Sequence, residues 1–294
     1  MSEFTLIIPT RNRPALLDRQ LRYYADQFAV ARMDGGGHNS SFPIIIADSS
    51  DAKAESFVDH LRYRHVSTWR MYDQQVSVFD KLHDILSSVT TPLVVIGADD
   101  DFFAPAALRK AADWLAAYQG YSLCSGRALT FDADMHLAPY PQHSVEQETP
   151  DQRLAAHLSN YSTTWYSMQR TDVARRNYAL TLAAGFDPHN LSELLPSCLS
   201  VIAGKSHVLD DLYMARQVWP GRQEARTALQ DVPERDWSRF IALLGDYGVR
   251  NHVAEQATRA YRSKRGRAWR RYLQIARTLL YQPPSGFEAI EEFV

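Results

Sequence analysis

Thr91-Pro92-Leu93-Val94-Val95-Ile96-Gly97-Ala98-Asp99-Asp100-Asp101-Phe102-Phe103 is the stretch on which the reading of this chain turns. A short apolar run rich in β-branched residues, opened by a proline, predicts a strand buried on both faces. Three consecutive aspartates follow at its carboxyl end, where open α/β sheets bind their ligands. Adjacent carboxylates repel one another, so a positive partner is expected. Asp99 and Asp101 stand two apart, which in extended backbone puts both side chains on one face. Hard oxygen donors of that kind suit Mg²⁺ or Mn²⁺ carrying a phosphorylated substrate. The plainer reading is a solvated acidic loop before a helix starting near Pro105. The triplet alone fits both.

Upstream, Phe4-Thr5-Leu6-Ile7-Ile8-Pro9 reads as a second buried strand, and Leu16, Leu17, Leu21 and Tyr24 mark the helix after it. The loop between them holds Arg11 and Arg13, which form an anion site or simply charge the surface. Gly35-Gly36-Gly37 marks a loop. Pro43 to Asp51 repeats the strand-then-acid arrangement. Asp48 can accept hydrogen bonds from a ribose or base; equally, Asp48 or Ser50 can cap a helix beginning near Ala52. Arg64 to Ser67 reads as a short edge strand, and Val76 to Val89 as an amphipathic helix carrying Lys81. Strands alternating with helices in this way predict a parallel sheet of βαβ units.

Beyond Gly120 the texture changes. Tyr121–Arg127 and Ala128–Phe131 read as two shorter strands, Pro139–Pro150 as a loop and Asp151–Leu158 as a helix. Tyr161–Ser167 is aromatic and β-prone, with Trp165 or Tyr166 left open as core or as a sugar-stacking face. A helix over Glu193–Ile202 would be capped by Ser192 or Asn190, with Pro196 in its first turn. Glu193, a carboxylate beside a buried element, is a candidate general base or a plain dipole-complementing charge. From Pro233 the chain reads as helical, and Arg259–Arg277 holds eight basic residues and no acid. That stretch predicts a basic amphipathic face, resting on an anionic membrane or a partner, or simply solvated.

The chain of 294 residues, 45% hydrophobic with net charge −2, has room for one large or two modest domains; its near-neutrality speaks against a nucleic-acid partner. The two cysteines, Cys124 and Cys198, match no metal or redox spacing and read as reduced thiols. Phe4 to Pro9 is too short for a signal peptide, and no apolar stretch nears the ~20 residues that span a bilayer. A cytoplasmic protein is expected, peripheral at the membrane if the 259–277 stretch binds it.

Taken together, Leu6 to Pro14, Ile44 to Ser50 and Val94 to Asp101 resemble, in order and separation, the family 2 glycosyltransferases. The resemblance covers roughly the first hundred residues. It implies a GT-A fold: an α/β, mostly parallel Rossmann-like sheet flanked by helices. The division would be 1–120 for the nucleotide sugar, 121–230 for the acceptor, and a helical extension over 231–294. It implies inverting transfer of a sugar from a nucleotide diphospho-sugar, usually uridine-linked, to a hydroxyl of a glycan or glycolipid. Such enzymes serve polysaccharide or glycolipid assembly. Carried over, Pro9, Thr10, Arg13 and Asp48 would hold the nucleotide. The family's Asp-x-Asp metal motif would fall on Asp99 and Asp101, with Asp100 able to share either role. Arg13, with Lys81 or Arg216, would add positive charge at the diphosphate; Arg216 and His207 lie near where a pyrophosphate or metal contact would fall, but the resemblance carries no role over to them. Glu193 would be the base, with Asp187, Asp210 and Asp211 as competitors. A sugar nucleotidyltransferase, a haloacid-dehalogenase-type phosphatase and a non-catalytic subunit of the same fold are the alternatives.

Overall fold

The computed structural model of the chain describes residues 3–33, 41–51, 65–186, 191–218 and 231–263. Its elements run β1 (Phe4–Thr10), α1 (Pro14–Met33), β2 (Ile44–Asp48), β3 (Val66–Met71), α2 (Val78–Ser88), β4 (Leu93–Ile96), β5 (Phe102–Phe103), α3 (Pro105–Ala117), β6 (Tyr121–Phe131), β7 (Leu137–Tyr140), α4 (Pro150–Ser159), β8 (Met168–Arg170), α5 (Thr171–Ala184), α6 (Leu191–Ala203), β9 (Lys205–Gln217) and α7 (Glu234–Asp246). A further helix covers 251–263.

One sheet carries these strands in the order β3-β2-β1-β4-β8-β6-β9-β5, with β7 paired to β6. The first four run parallel. The other half is mixed, with β8 antiparallel to both β4 and β6, and β9 parallel to β6. Parallel pairing brings the carboxyl ends of β1, β2 and β4 to one edge. The central strands are apolar throughout because both faces are covered. Leu6, Ile8 and Val95 pack with Leu17, Leu21 and Leu108 on one side, while Ile7, Val94 and Ile96 pack with Leu82, Ile85 and Tyr178 on the other. Each such side chain contributes roughly 1.5–3 kcal/mol on burial.

Helix α2 starts where Ser77 accepts a hydrogen bond from the Asp80 backbone NH at 3.2 Å, and it buries Phe79, Leu82, Ile85 and Leu86 with Lys81 among them. A separate apolar cluster joins Leu195 and Cys198 of α6 to Trp237 and Phe240 of α7 and to Tyr261. Within the basic stretch, Arg262 pairs with Glu234 and lies 4.8 Å over the Trp237 ring. Residues 264–277 of that stretch fall outside the described residues, as do Gly35 to Gly37 and the helix expected near Ala52.

Several local expectations change. Tyr121–Phe131 is one strand, and its irregularity at Gly126 and Arg127 is a shift of register against β9. A Cβ at Gly126 would stand 2.6 Å from the Asp211 carbonyl oxygen, so only glycine admits that approach. Pro139 lies in a strand, but in the outer strand β7, where a missing donor is tolerated. Tyr161–Ser167 forms no strand; its partner is a helix, with the Thr164 NH donating to Ser197 Oγ at 3.0 Å. Ser192 lies inside α6 rather than capping it, its hydroxyl donating to the Phe186 carbonyl at 3.0 Å. Pro196 therefore sits in the helix interior.

Three arginines close helix ends from a distance. Arg170 donates to the Leu115 carbonyl at 2.8 Å, and Arg175 to those of Leu86 and Val89 at 3.0 and 2.9 Å. Arg153 reaches the Val201 and Ile202 carbonyls, each at 2.7 Å. Guanidinium donors here meet the orphan carbonyls and the negative pole of each helix.

His157 of α4 is buried, and its Nε2 makes no hydrogen bond. Burial pushes its pKa down to about 4. The folded value lies below the unfolded one, so the unfolded chain binds the extra proton between pH 6.5 and 4, and stability falls as pH drops through that window. The wild type should lose about 3 kcal/mol relative to His157→Leu between those limits, from the 1.36 kcal/mol per unit of linkage. Denaturant titrations of both proteins at several pH values check it; a stability difference independent of pH would contradict it.

Candidate active site

Where β1 and β4 end, a cleft of about 860 Å³ opens. One wall carries Pro9, Thr10, Arg11, Arg13, Ser49, Lys81 and Asp99; Trp165, Tyr166, Glu193 and Arg216 come from the second half. Among the described residues on its lining, the carboxylates are Asp99 and Glu193.

The acid triplet is not extended. The Asp101 NH donates back to the Ala98 carbonyl at 3.3 Å, so the chain turns at Asp99 and Asp100, and the expectation that Asp99 and Asp101 share one face is corrected. Asp99 reaches the cleft, its carboxylate accepting from the Thr10 hydroxyl at 2.7 Å and from Arg13 at 2.5 Å. Asp100 accepts from the other arm of Arg13 at 2.8 Å. Asp101 lies behind the lining, where its Oδ1 accepts from the Gln217 NH at 3.0 Å and its carboxylate also meets the Tyr166 hydroxyl. Burial raises the Asp99 carboxyl to about 6 against the pull of Arg13 and Thr10. Burial, with the neighbouring Asp100, raises Asp101 to about 7.

The cations differ in what they touch. Lys81 is buried, its Nζ donating to the Thr10 carbonyl at 2.8 Å and to Ser49 Oγ at 2.9 Å, and burial lowers it to about 8. It ties the β1 and β2 loops together from below. Asn12, at φ 55°, makes the same tie above: its backbone NH donates to Ser50 Oγ at 2.8 Å, and its side-chain Oδ1 accepts from the Asp51 NH at 2.9 Å. Asparagine tolerates that left-handed turn. Asp48 is buried behind Ser49 and accepts from the Ser50 NH at 2.8 Å; it does not line the cleft. Arg216 is sandwiched between the Tyr140 and Tyr166 rings at 5.4 and 5.3 Å, and donates to the Tyr140 hydroxyl at 3.1 Å. No local sequence signal marks that clamp, because Tyr140 is 76 residues away.

Glu193 lies in the first turn of α6. Together with Trp165 it separates the cleft from an internal cavity of about 10 Å³ lined by Thr164, Gln169, Tyr178, Ser197 and Ser200. The competing acids go elsewhere: Asp210 pairs with Arg127 and Asp211 with Lys110, both off the lining, while Asp187 lies outside the described residues. His207 is also off the cleft, stacked on Trp114 at 3.9 Å and bonded to Glu146. Trp165 and Tyr166 both face the cleft, Trp165 with its ring packed edge-on against Phe79 and Tyr178. Asp132, Asp134 and His136 gather near the β6–β7 turn, where Asp132 Oδ1 accepts from the backbone NH groups of the other two and so closes the turn.

Solved structures share this architecture. S. aureus TarS 1–349 in complex with UDP-GlcNAc matches at a TM-score of 0.57 and 15% identity, covering 87% of this chain and 70% of that one. S. aureus TarS itself matches at 0.55 and 15% identity over 87% of this chain, which spans only 42% of TarS. The mannosyltransferase PcManGT from Pyrobaculum calidifontis, in complex with GDP-Man and Mn²⁺, matches at 0.50 and 15% identity, covering 96% of this chain and 81% of that one. These are GT-A glycosyltransferases, and the chain has their fold. No family model and no curated protein matches the sequence. Among the described residues no helix is long and apolar enough to cross a membrane.

Proposed function

We propose that this chain is a glycosyltransferase of the family 2 type. It would move a sugar from a nucleotide diphospho-sugar, uridine-linked, to a hydroxyl of a glycan or glycolipid with inversion at the anomeric carbon. The observation that carries the reading is the pairing, in one cleft, of an acid-and-arginine wall at the carboxyl ends of β1 and β4 with the Glu193 carboxylate on α6. The donors held by the structural neighbours, UDP-GlcNAc and GDP-Man, belong to the same chemical class.

Thr10 and the Pro9 backbone would seat the nucleotide, with Asp48 bracing the loop beneath it through the Ser50 NH. Arg13 and Arg216 would meet the diphosphate and stabilise the charge that grows on it as it leaves. Lys81 adds positive charge from beneath the Thr10 loop. Glu193 would take the proton of the acceptor hydroxyl as its oxygen bonds to the anomeric carbon. On the opposite face the bond to the diphosphate breaks, and its electron pair stays with the departing phosphate oxygen. The residues fit a divalent cation: Asp99 and Asp101 are hard oxygen donors held out of water. Asp99, with Asp100 or Asp101, would hold Mn²⁺ or Mg²⁺, which supplies further charge stabilisation to the leaving diphosphate.

Calorimetric titration of UDP and GDP with Mn²⁺, on wild type and Asp99→Ala, tests this. One nucleotide should bind in the wild type and weaken by about a hundredfold or more in the variant, the scale of a lost charge-assisted contact. A folded wild type that binds neither nucleotide would remove the donor-site reading.

A further inference from the structure

We propose that Arg13 is a built-in counter-ion of the acid triplet that competes with a divalent cation for the same carboxylates and passes to the diphosphate when the cation binds. The proposal rests on the metal and diphosphate reading above and assigns Arg13 a role in coupling the two.

The geometry is specific. Arg13 bridges two residues at once, Nη1 to Asp99 Oδ1 at 2.5 Å and Nη2 to Asp100 Oδ2 at 2.8 Å. Thr10 occupies the other Asp99 oxygen, so both oxygens of the one triplet carboxylate on the cleft lining are engaged. A divalent cation drawing on those oxygens brings like charge against the guanidinium, so the ion binds Asp99 more tightly as Arg13 withdraws. Arg13 is free to turn because a quarter of its side chain is exposed and lines the cleft. Its backbone stays fixed, since Asn12 ties the loop to Ser50 and Asp51. A released guanidinium, with its planar fork of donors, matches a phosphate in two-pronged geometry better than any lysine would.

Two consequences follow from linkage. Without nucleotide, Arg13 weakens metal binding, because the ion must displace it. With a diphosphate present, the displaced arginine gains a new anionic partner, so metal and nucleotide strengthen one another by a factor that Arg13 itself contributes.

The test is calorimetric titration of Mn²⁺ alone into the full chain, with and without saturating UDP, for wild type, Arg13→Gln and Arg13→Lys. Without UDP, Arg13→Gln should bind Mn²⁺ about tenfold more tightly than wild type, the order expected when a half-buried two-pronged ion pair no longer competes. With UDP that advantage should shrink to within about threefold, because the wild-type arginine is then re-paired. Arg13→Lys, which keeps the charge without the fork, should fall between and carries the comparison if the Gln variant fails to fold. Equal Mn²⁺ affinity in wild type and Arg13→Gln without UDP would overturn the competition while leaving the metal site in place. Absence of Mn²⁺ binding to wild type with or without UDP, or binding that survives Asp99→Asn, would overturn the metal reading and this proposal with it.

Discussion

Glu193→Gln is expected to bind the donor as the wild type does and to lose roughly 10²- to 10⁴-fold in transfer, the usual scale for removal of a general base. Glutamine keeps the shape and hydrogen-bonding reach of the side chain but cannot accept the acceptor's proton at neutral pH. The position makes this a clean substitution. Glu193 stands on a helix whose interior face is packed, with Leu194, Leu195 and Cys198 buried, so those contacts hold the backbone beneath it. The groups proposed for the donor stand on other elements: β1, β2, α2, β9 and the loops after β1 and β4. Turnover and donor affinity should therefore separate: kcat falls while the donor dissociation constant stays within about twofold. If the variant turned over within tenfold of wild type, the base would have to be sought elsewhere. Asp210 and Asp211 would then be poor successors, since each lies off the cleft and is engaged with a surface cation.

Arg153→Ala should cost the fold about 4 kcal/mol, the largest single loss expected from any charged residue described. Arg153 is 7% exposed and its guanidinium donates to four carbonyls: Val201 and Ile202 at the end of α6, and Gln147 and Glu148 ahead of α4 at 3.1 and 2.8 Å. Truncation strands buried carbonyls at about 1–3 kcal/mol each and leaves a void that the surrounding helices cannot fully close. Some carbonyls will recover water, which is why the sum is set well below four full penalties. For a chain of this size the loss corresponds to a fall of roughly 8–16 °C in melting temperature. Arg153→Lys should recover little, because one ammonium cannot span both segments. Thermal melts of the three proteins decide it. A loss under about 1 kcal/mol for the alanine variant would mean that the α6 end is already solvated and that Arg153 holds nothing together. Because α6 carries Glu193 at its other end, a loosened α6 should also slow transfer in proportion to the unfolded fraction.

The first half of the molecule was legible in its residues for a physical reason. Strands buried on both faces have to be apolar along their length, so Leu6–Ile8, Ile44–Ile46 and Leu93–Ile96 declare themselves. The helices between them show a single apolar stripe. The second half was harder because its strands are flanked unevenly. Tyr161–Ser167 has the composition of a strand, but β-propensity records fit to a pleated surface, and here the neighbour is α6. The Asp99–Asp101 spacing misled for a related reason. Two-residue periodicity holds only in extended backbone, and the chain turns at the first aspartate.

By itself, then, the sequence determined the βαβ order of the first hundred residues, the placing of acids and arginines at the ends of their strands, and the amphipathic helix with Lys81 on it. These are local matters of burial and period. Tertiary structure alone decided which of those groups meet. It set Arg13 on Asp99 and Asp100, turned Asp101 away to Gln217 across 116 residues, and clamped Arg216 between two tyrosines. It left Glu193 as the acid on the far wall of the cleft, and sent Asp210, Asp211 and His207 to the outside. Contacts of that kind depend on strand order and on the register of β9 against β6, which no local pattern of side chains encodes.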